Sequence, residues 1–170
     1  MAYKVRIYGD HVLRKSTDIV TEFDTNTSDF VNNMIETMYE GNGIGLAAPQ
    51  VGISKKIIVI DSSFSESTDS AMHLINPEIL ETEGECLLEE GCLSIPGVYE
   101  EIVRPEKIRV KYFDINGNEQ NTDADGLLSR VIQHEMDHLD GILFVDRLST
   151  VKRNLLAKTL RSMAKEGSGD

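Results

Sequence analysis

The heptapeptide IQHEMDH, residues 132–138, constrains this chain more than any other stretch. Its two histidines stand at i and i+4 and continue a row that begins with Leu127 and Val131, at helical spacing. A helix over 125–139 therefore turns both imidazoles the same way, one turn apart on an inward stripe. Neutral imidazoles side by side in a core, with Glu135 fixed between them, have few structural uses. On one helix face they suit a single divalent metal. A catalytic centre of that kind takes three protein ligands and keeps a position for water, so the fold has to deliver one more ligand to this face.

The two commonest peptidase schemes do not supply it. In the pattern H-E-x-x-H-x-x-G-x-x-H, Gly141 matches the glycine, but the last histidine is replaced by Phe144. The scheme with a downstream glutamate finds only Glu166, near the end of the sequence. The upstream candidates are His11, His73, Cys86 and Cys92. Cys92 sits in EEGCLSIPG, where Gly91 permits close backbone approach and Pro96 is expected to end a strand, giving a fixed thiolate at a strand edge. Cys86 lies in a strand-like run and reads as a small buried hydrophobe.

Around these residues the pattern is that of an α+β protein. Strand signals occur in KIIVI, AMHLI, EILETEGECLLEE and EKIRVKYFD, the last alternating through Ile108, Val110 and Tyr112 before an NGN turn. They predict mostly antiparallel sheets around the H-E-x-x-H helix, with a polar surface loop over 61–70. An N-terminal helix is expected near 27–40 behind Thr27 or Ser28, carrying Phe30, Met34, Ile35 and Met38. A C-terminal amphipathic helix is expected near 150–164 behind Ser149 or Thr150, with Leu148, Val151, Leu155, Leu156 and Leu160 on its stripe. No repeat, linker or composition break divides the chain, so residues 1–170 read as one catalytic domain.

Three blocks, GNGIGLAAPQVG (41–52), EEGCLSIPG (89–97) and IQHEMDHLDGILFVD (132–146), resemble in order and spacing the three motifs of the bacterial-type peptide deformylases. The resemblance runs over nearly the whole chain. It implies a hydrolase that removes the formyl group from N-terminal formylmethionine of newly made polypeptides and releases formate. Carried over residue by residue, it implies Cys92, His134 and His138 as metal ligands and Glu135 as general base and acid. It further implies that Gln50 and the backbone N–H of Leu93 meet the developing oxyanion. Ferrous iron is the metal the family implies as native, although zinc or another divalent ion suits a thiolate with two imidazoles.

The glycines Gly43 and Gly45 shape a turn after the first helix, and a loop without side chains also lets a substrate backbone add as a strand, Gly91 serving through its carbonyl. Leu127, Val131 and Ile44 are expected to line an apolar pocket for the methionine side chain. Glu90 and Arg104 read as a structural ion pair. Family members often carry an arginine in the segment after the cysteine motif that grips the peptide backbone; here the run is GVYEEIVRP, and Tyr99 is the residue available to replace it.

The formal net charge of −12 excludes DNA as a partner by its repulsion of phosphates. No stretch reaches the roughly 20 apolar residues of a membrane span. Two cysteines and no export signal point to the cytoplasm. The last helix is the exception to the acidic balance: Lys152, Arg153, Lys158, Arg161 and Lys165 form either a solvated face or, for an enzyme meeting nascent chains, a contact with ribosomal RNA.

Overall fold

A computed structural model describes residues 1–62 and 71–168. Five strands, β1 (Gly45–Ala47), β2 (Ile57–Asp61), β3 (Ala71–Glu83), β6 (Lys107–Phe113) and β7 (Glu119–Asp125), form an antiparallel sheet in the order β1-β2-β3-β6-β7. Two more, β4 (Cys86–Cys92) and β5 (Ile95–Arg104), pair with each other in a separate hairpin.

The apolar run of β2 explains how the helices are placed. Successive side chains of a strand point to opposite faces, and here both faces are covered. Ile57 and Val59 pack with Val31, Met34 and Met38 of α1 (Thr25–Glu40). Ile58 and Ile60 pack with Val131, Ile132 and Leu139 of α2 (Gly126–Leu139). The sheet is thus clasped between the first helix and the H-E-x-x-H helix. A third cluster joins Ile95, Val98 and Ile102 of β5 to Phe144, Val145 and Leu148 and to Leu160 of α3 (Thr150–Gly167).

Several expectations are corrected. The cap of α1 is Asp24, whose carboxylate accepts the Thr27 N–H at 3.0 Å, an acidic cap that outcompetes the later hydroxyls. AMHLI and the following glutamate-rich run form one strand, β3, which absorbs Asn76-Pro77 as an irregularity between Ile75 and Glu78. Asn76 holds a φ of 52° there, its side-chain amide pairing with Val20 N–H and C=O at 2.9 Å each. The same glutamate-rich run then breaks at Gly84, φ 71°, so Cys86 begins a new strand instead of continuing the old one. Pro96 does not end a strand; the strand ends at Cys92, Leu93-Ser94 make the turn, and Pro96 is the second residue of β5.

Ser149 caps α3 as expected, its hydroxyl accepting Lys152 N–H at 3.3 Å. The inward stripe of that helix is narrower than expected. Leu148 and Leu160 are buried, with Leu156 and Met163 packed beside them, whereas Val151 and Leu155 are 70% and 79% exposed. Of the expected loop at 61–70, Asp61 belongs to β2 and is buried, and residues 63–70 lie outside the described residues.

The far end of α3 lies against the first residues. A Cβ on Gly9, φ 106°, would stand 2.5 Å from Ala164 O, and one on Gly167 would run into Tyr8 O, so both glycines are required by close backbone approach. Tyr8 N–H in turn donates to Ser94 O at 2.8 Å, seating the turn of the hairpin.

Candidate functional site

Helix α2 is buried along most of its length although it carries Arg130, Gln133, His134, Glu135, Asp137 and His138. Burial of so many polar groups is tolerable only when they are paired or bind something. The His134 and His138 rings lie 5.2 Å apart, and the hairpin brings Cys92 Sγ to 3.4 Å from His138 Nε2. One donor atom from each of Cys92, His134 and His138 falls within 4.8 Å of the others. A tetrahedral centre with metal–sulfur and metal–nitrogen bonds of about 2.3 and 2.1 Å places S and N about 3.6 Å apart, close to the 3.4 Å between Cys92 Sγ and His138 Nε2, so the donor set suits a divalent ion.

The ring nitrogens are set by their partners. His134 Nδ1 lies 2.8 Å from Glu90 Oε1. Burial alone would raise the Glu90 carboxyl, yet hydrogen bonds from His134 and Arg104 outweigh it and hold the group down at about 2. An anionic Glu90 keeps the proton on Nδ1 and leaves Nε2 to the cluster. Burial lowers His134, but its hydrogen bonds with Cys92 and Glu90 prevail and raise it well above the ordinary histidine value. A metal would replace the proton shared with the thiolate, which is the exchange expected of a ligand. His138 is driven well below its ordinary value, first by burial and then by its cationic neighbours, so it stays neutral and able to ligate.

Glu135 is raised to about 7, chiefly by burial. Its Oε2 is buried with no hydrogen-bond partner among the described residues, and Oε1 stands 4.0 Å from His134 Nε2. A buried carboxylate oxygen without a partner is rare and marks a place for a proton or a water. Strand β1 presses directly against it: a Cβ at Gly45 would meet Glu135 Oε1 at 2.7 Å and Val131 Cγ1 at 2.8 Å. Gly45 is therefore glycine because the carboxylate occupies its side-chain space.

These groups open onto a cavity of about 540 Å³. One wall is the backbone of Gly43, Ile44 and Gly45, the opposite wall Gly91, Cys92 and Leu93, and the floor Leu127, Val131, His134 and Glu135. Ile44 and Leu127 are 38% and 42% exposed, their side chains spent on the cavity, while Val131 divides itself between cavity and core. Leu93 occupies the hairpin turn, its side chain against Gly41 and Gly43. The Tyr99 ring covers Gly91 so closely that a Cβ there would stand 2.6 Å away, and it forms part of the cavity wall. Gln50 lies behind the cluster. Its Oε1 accepts Ala47 N–H at 2.9 Å, and its Nε2 donates to Cys92 Sγ at 3.4 Å and to Ser94 Oγ at 3.2 Å.

The structure thus gathers every residue singled out for the site and leaves the other candidate ligands outside it. His11 is exposed in a short turn, and His73 Nε2 accepts Ile115 N–H at 3.1 Å. Cys86 is half-buried rather than fully buried, because it sits at the open end of the hairpin. Phe144, where one peptidase scheme would need its histidine, stacks on His134 with ring centres 6.0 Å apart. Sequence reading understated Glu90 and missed Arg130 and Asp137. Glu90 accepts from Arg104 Nε and Nη2 at 2.5 and 2.9 Å, and Arg104 Nη1 donates to Asp137 at 2.9 Å. The available signal was spacing: Arg130 precedes His134 by one helical turn on the same face.

Comparison with known proteins agrees with this geometry. Residues 2–154 match the model of the polypeptide deformylase family. A peptide deformylase of Thermodesulfovibrio yellowstonii is 49% identical over 159 residues, spanning 94% of this chain and 96% of the relative. One from Thermotoga maritima is 46% identical, spanning 96% and 97%. Among solved structures, the peptide deformylase of Plasmodium falciparum superposes with a TM-score of 0.91 at 39% identity, covering 96% of each chain. That of Synechococcus elongatus, in complex with actinonin, superposes with a TM-score of 0.86 at 47% identity, covering 92% and 87%.

Proposed function

The chain belongs to the polypeptide deformylase family, a metal-dependent hydrolase that removes the N-formyl group from newly made polypeptides, and from that premise we propose what each residue of the site does. What carries the assignment is the convergence of Cys92, His134 and His138 beside a buried, partnerless Glu135 oxygen on the floor of a cavity.

Cys92, His134 and His138 would hold a divalent cation, whose Lewis acidity would lower the pKa of water toward neutrality and polarise the formyl carbonyl. Glu135 takes the proton of the attacking water at Oε2 and delivers it to the leaving amine, a task suited to a carboxyl raised to about 7. The Gln50 amide and the Leu93 N–H meet the charge that grows on the formyl oxygen. Gln50 Nε2 already spends its two hydrogens on Cys92 Sγ and Ser94 Oγ, so it meets that charge by releasing one of them. Backbone at Gly43, Gly45 and Gly91 holds the peptide as an added strand, with the methionine side chain against Ile44, Leu127 and Val131.

Ferrous iron is the proposed native metal, with zinc or another divalent ion able to take its place. Residues 1–170 act as one catalytic domain in the cytoplasm. The basic face of α3 is proposed to dock on the ribosome, and Lys158→Glu with Arg161→Glu should abolish co-sedimentation with ribosomes while leaving turnover of free peptide unchanged.

The deciding experiment is formate release from formyl-Met-Ala-Ser by anaerobically prepared protein supplied with ferrous iron or zinc, beside an unformylated control. Release with the Met–Ala bond intact supports the reading and ranks the metals. Cleavage of that bond, or no reaction with metal bound, overturns it.

A further inference from the structure

The two histidine ligands owe their spacing to one helix, but the distance from them to Cys92 depends on how the β4–β5 hairpin sits against α2. That hairpin is not hydrogen-bonded to the five-stranded sheet, and a two-stranded ribbon alone is marginally stable. Its turn end is pinned by Gln50 on Cys92 and Ser94 and by Tyr8 on Ser94. Toward its open end the hairpin is tied to α2 by Arg130, beside the Arg104–Asp137 pair and the Gln133 Nε2 bond to Pro105 O. Arg130 Nη1 donates to Glu90 Oε2 at 2.5 Å and to Ile102 O at 2.9 Å, and Nη2 donates to Cys86 O at 2.7 Å.

We propose that Arg130 is a positioning residue for the metal centre, fixing the distance between the Cys92 thiolate and the two imidazoles by fastening both strands of the hairpin to the metal helix. The inference rests on the assignment of Cys92, His134 and His138 as ligands. Arg130 reaches β4 through Cys86 and Glu90 and β5 through Ile102, so one planar guanidinium spans both strands. Only a rigid fork with several donors does this; an ammonium is a single point. Glu90 is at the same time the partner of His134, so the group that orients the first imidazole is held by the group that holds the hairpin. Arg104 makes the reciprocal tie, from β5 to Asp137 of α2. Arg130 borders the cavity but is almost fully buried, and both of its terminal nitrogens donate to protein groups, so the proposed role acts through these groups.

The test replaces the native metal with cobalt(II) in the full chain and in the variants Arg130→Met and Arg130→Lys. It follows the thiolate-to-cobalt absorption, the rate of cobalt release to a chelator, and the thermal transition of the metal-free protein. In Arg130→Met, cobalt should leave about 10–100-fold faster with a shifted charge-transfer band, the usual loss when an outer-shell partner of a ligand is removed. Arg130→Lys should fall between it and the unsubstituted protein. If Arg130→Met does not fold, Arg130→Lys decides by the same readouts. An unchanged band and release rate, whatever the thermal transition does, would overturn the proposal. So would a raised KM for formyl-Met-Ala-Ser with an unchanged cobalt spectrum, which would make Arg130 a substrate contact. Absence of any thiolate band in the unsubstituted protein would instead sink the ligand assignment itself.

Discussion

Glycine 45 and glutamate 135 compete for one volume, and only the absence of a Cβ settles the competition in favour of the carboxylate. Gly45→Ala should therefore displace Glu135 while leaving the ligands in place: turnover falls about 100-fold, as for a misplacement of roughly 1 Å, with metal content by elemental analysis unchanged. Glu135→Ala should likewise keep its metal and lose turnover by about 10²–10⁴-fold. Glu90 makes a prediction about pH. Its carboxyl is held at about 2 in the fold against a reference of 4.5, so it stabilises the fold fully above the reference and loses that contribution as pH falls toward 2. Urea unfolding of metal-free protein between pH 6 and 3 should show this loss. Glu90→Gln should flatten it, at a cost of about 3–5 kcal/mol near neutrality for breaking a buried charge pair. His134, Glu135 and His138 were legible because a metal site writes itself into helical spacing. Glu90 was not, since among so many acidic neighbours nothing in the letters separates a buried carboxylate from a solvated one.

Strand β2 and helix α3 show what a run of apolar letters does and does not determine. In β2 the run was read only as a strand; it is buried on both faces, and two helices supply that cover. In α3 five apolar residues fitted one stripe by spacing, but the body of the protein offers a surface only wide enough for Leu148, Leu156, Leu160 and Met163. The width of the surface a helix meets is set by other elements and is not written in the helix. Leu160→Ala should cost about 2–5 kcal/mol in denaturant unfolding, whereas Leu155→Ala should stay within about 0.5 kcal/mol. The joining of two strand signals into β3 was hidden for a related reason: Asn76-Pro77 looks like a stop, and its polar groups are satisfied by the backbones of Val20 and Lys56, distant in sequence.

Across the whole molecule, the metal centre is where the five-stranded sheet, the hairpin and α2 meet, so ligand binding and folding are coupled. A chelator should lower the melting temperature, and restoring metal should raise it by an amount that grows with free metal as RT ln(1 + [M]/Kd). Cys92→Ser should blunt that response while the metal-free melting temperature changes little. The glycine contacts between residues 7–9 and 164–167 have a consequence for biosynthesis. The seat of the hairpin turn, Tyr8 on Ser94, is itself backed by the last turn of α3. Closing that contact joins the two most distant parts of the chain, the slowest kind of pairing to form. During translation residues 7–9 cannot make this contact until residues 164–167 have been added, so the seat of the hairpin turn gains its backing only after α3 has been synthesised.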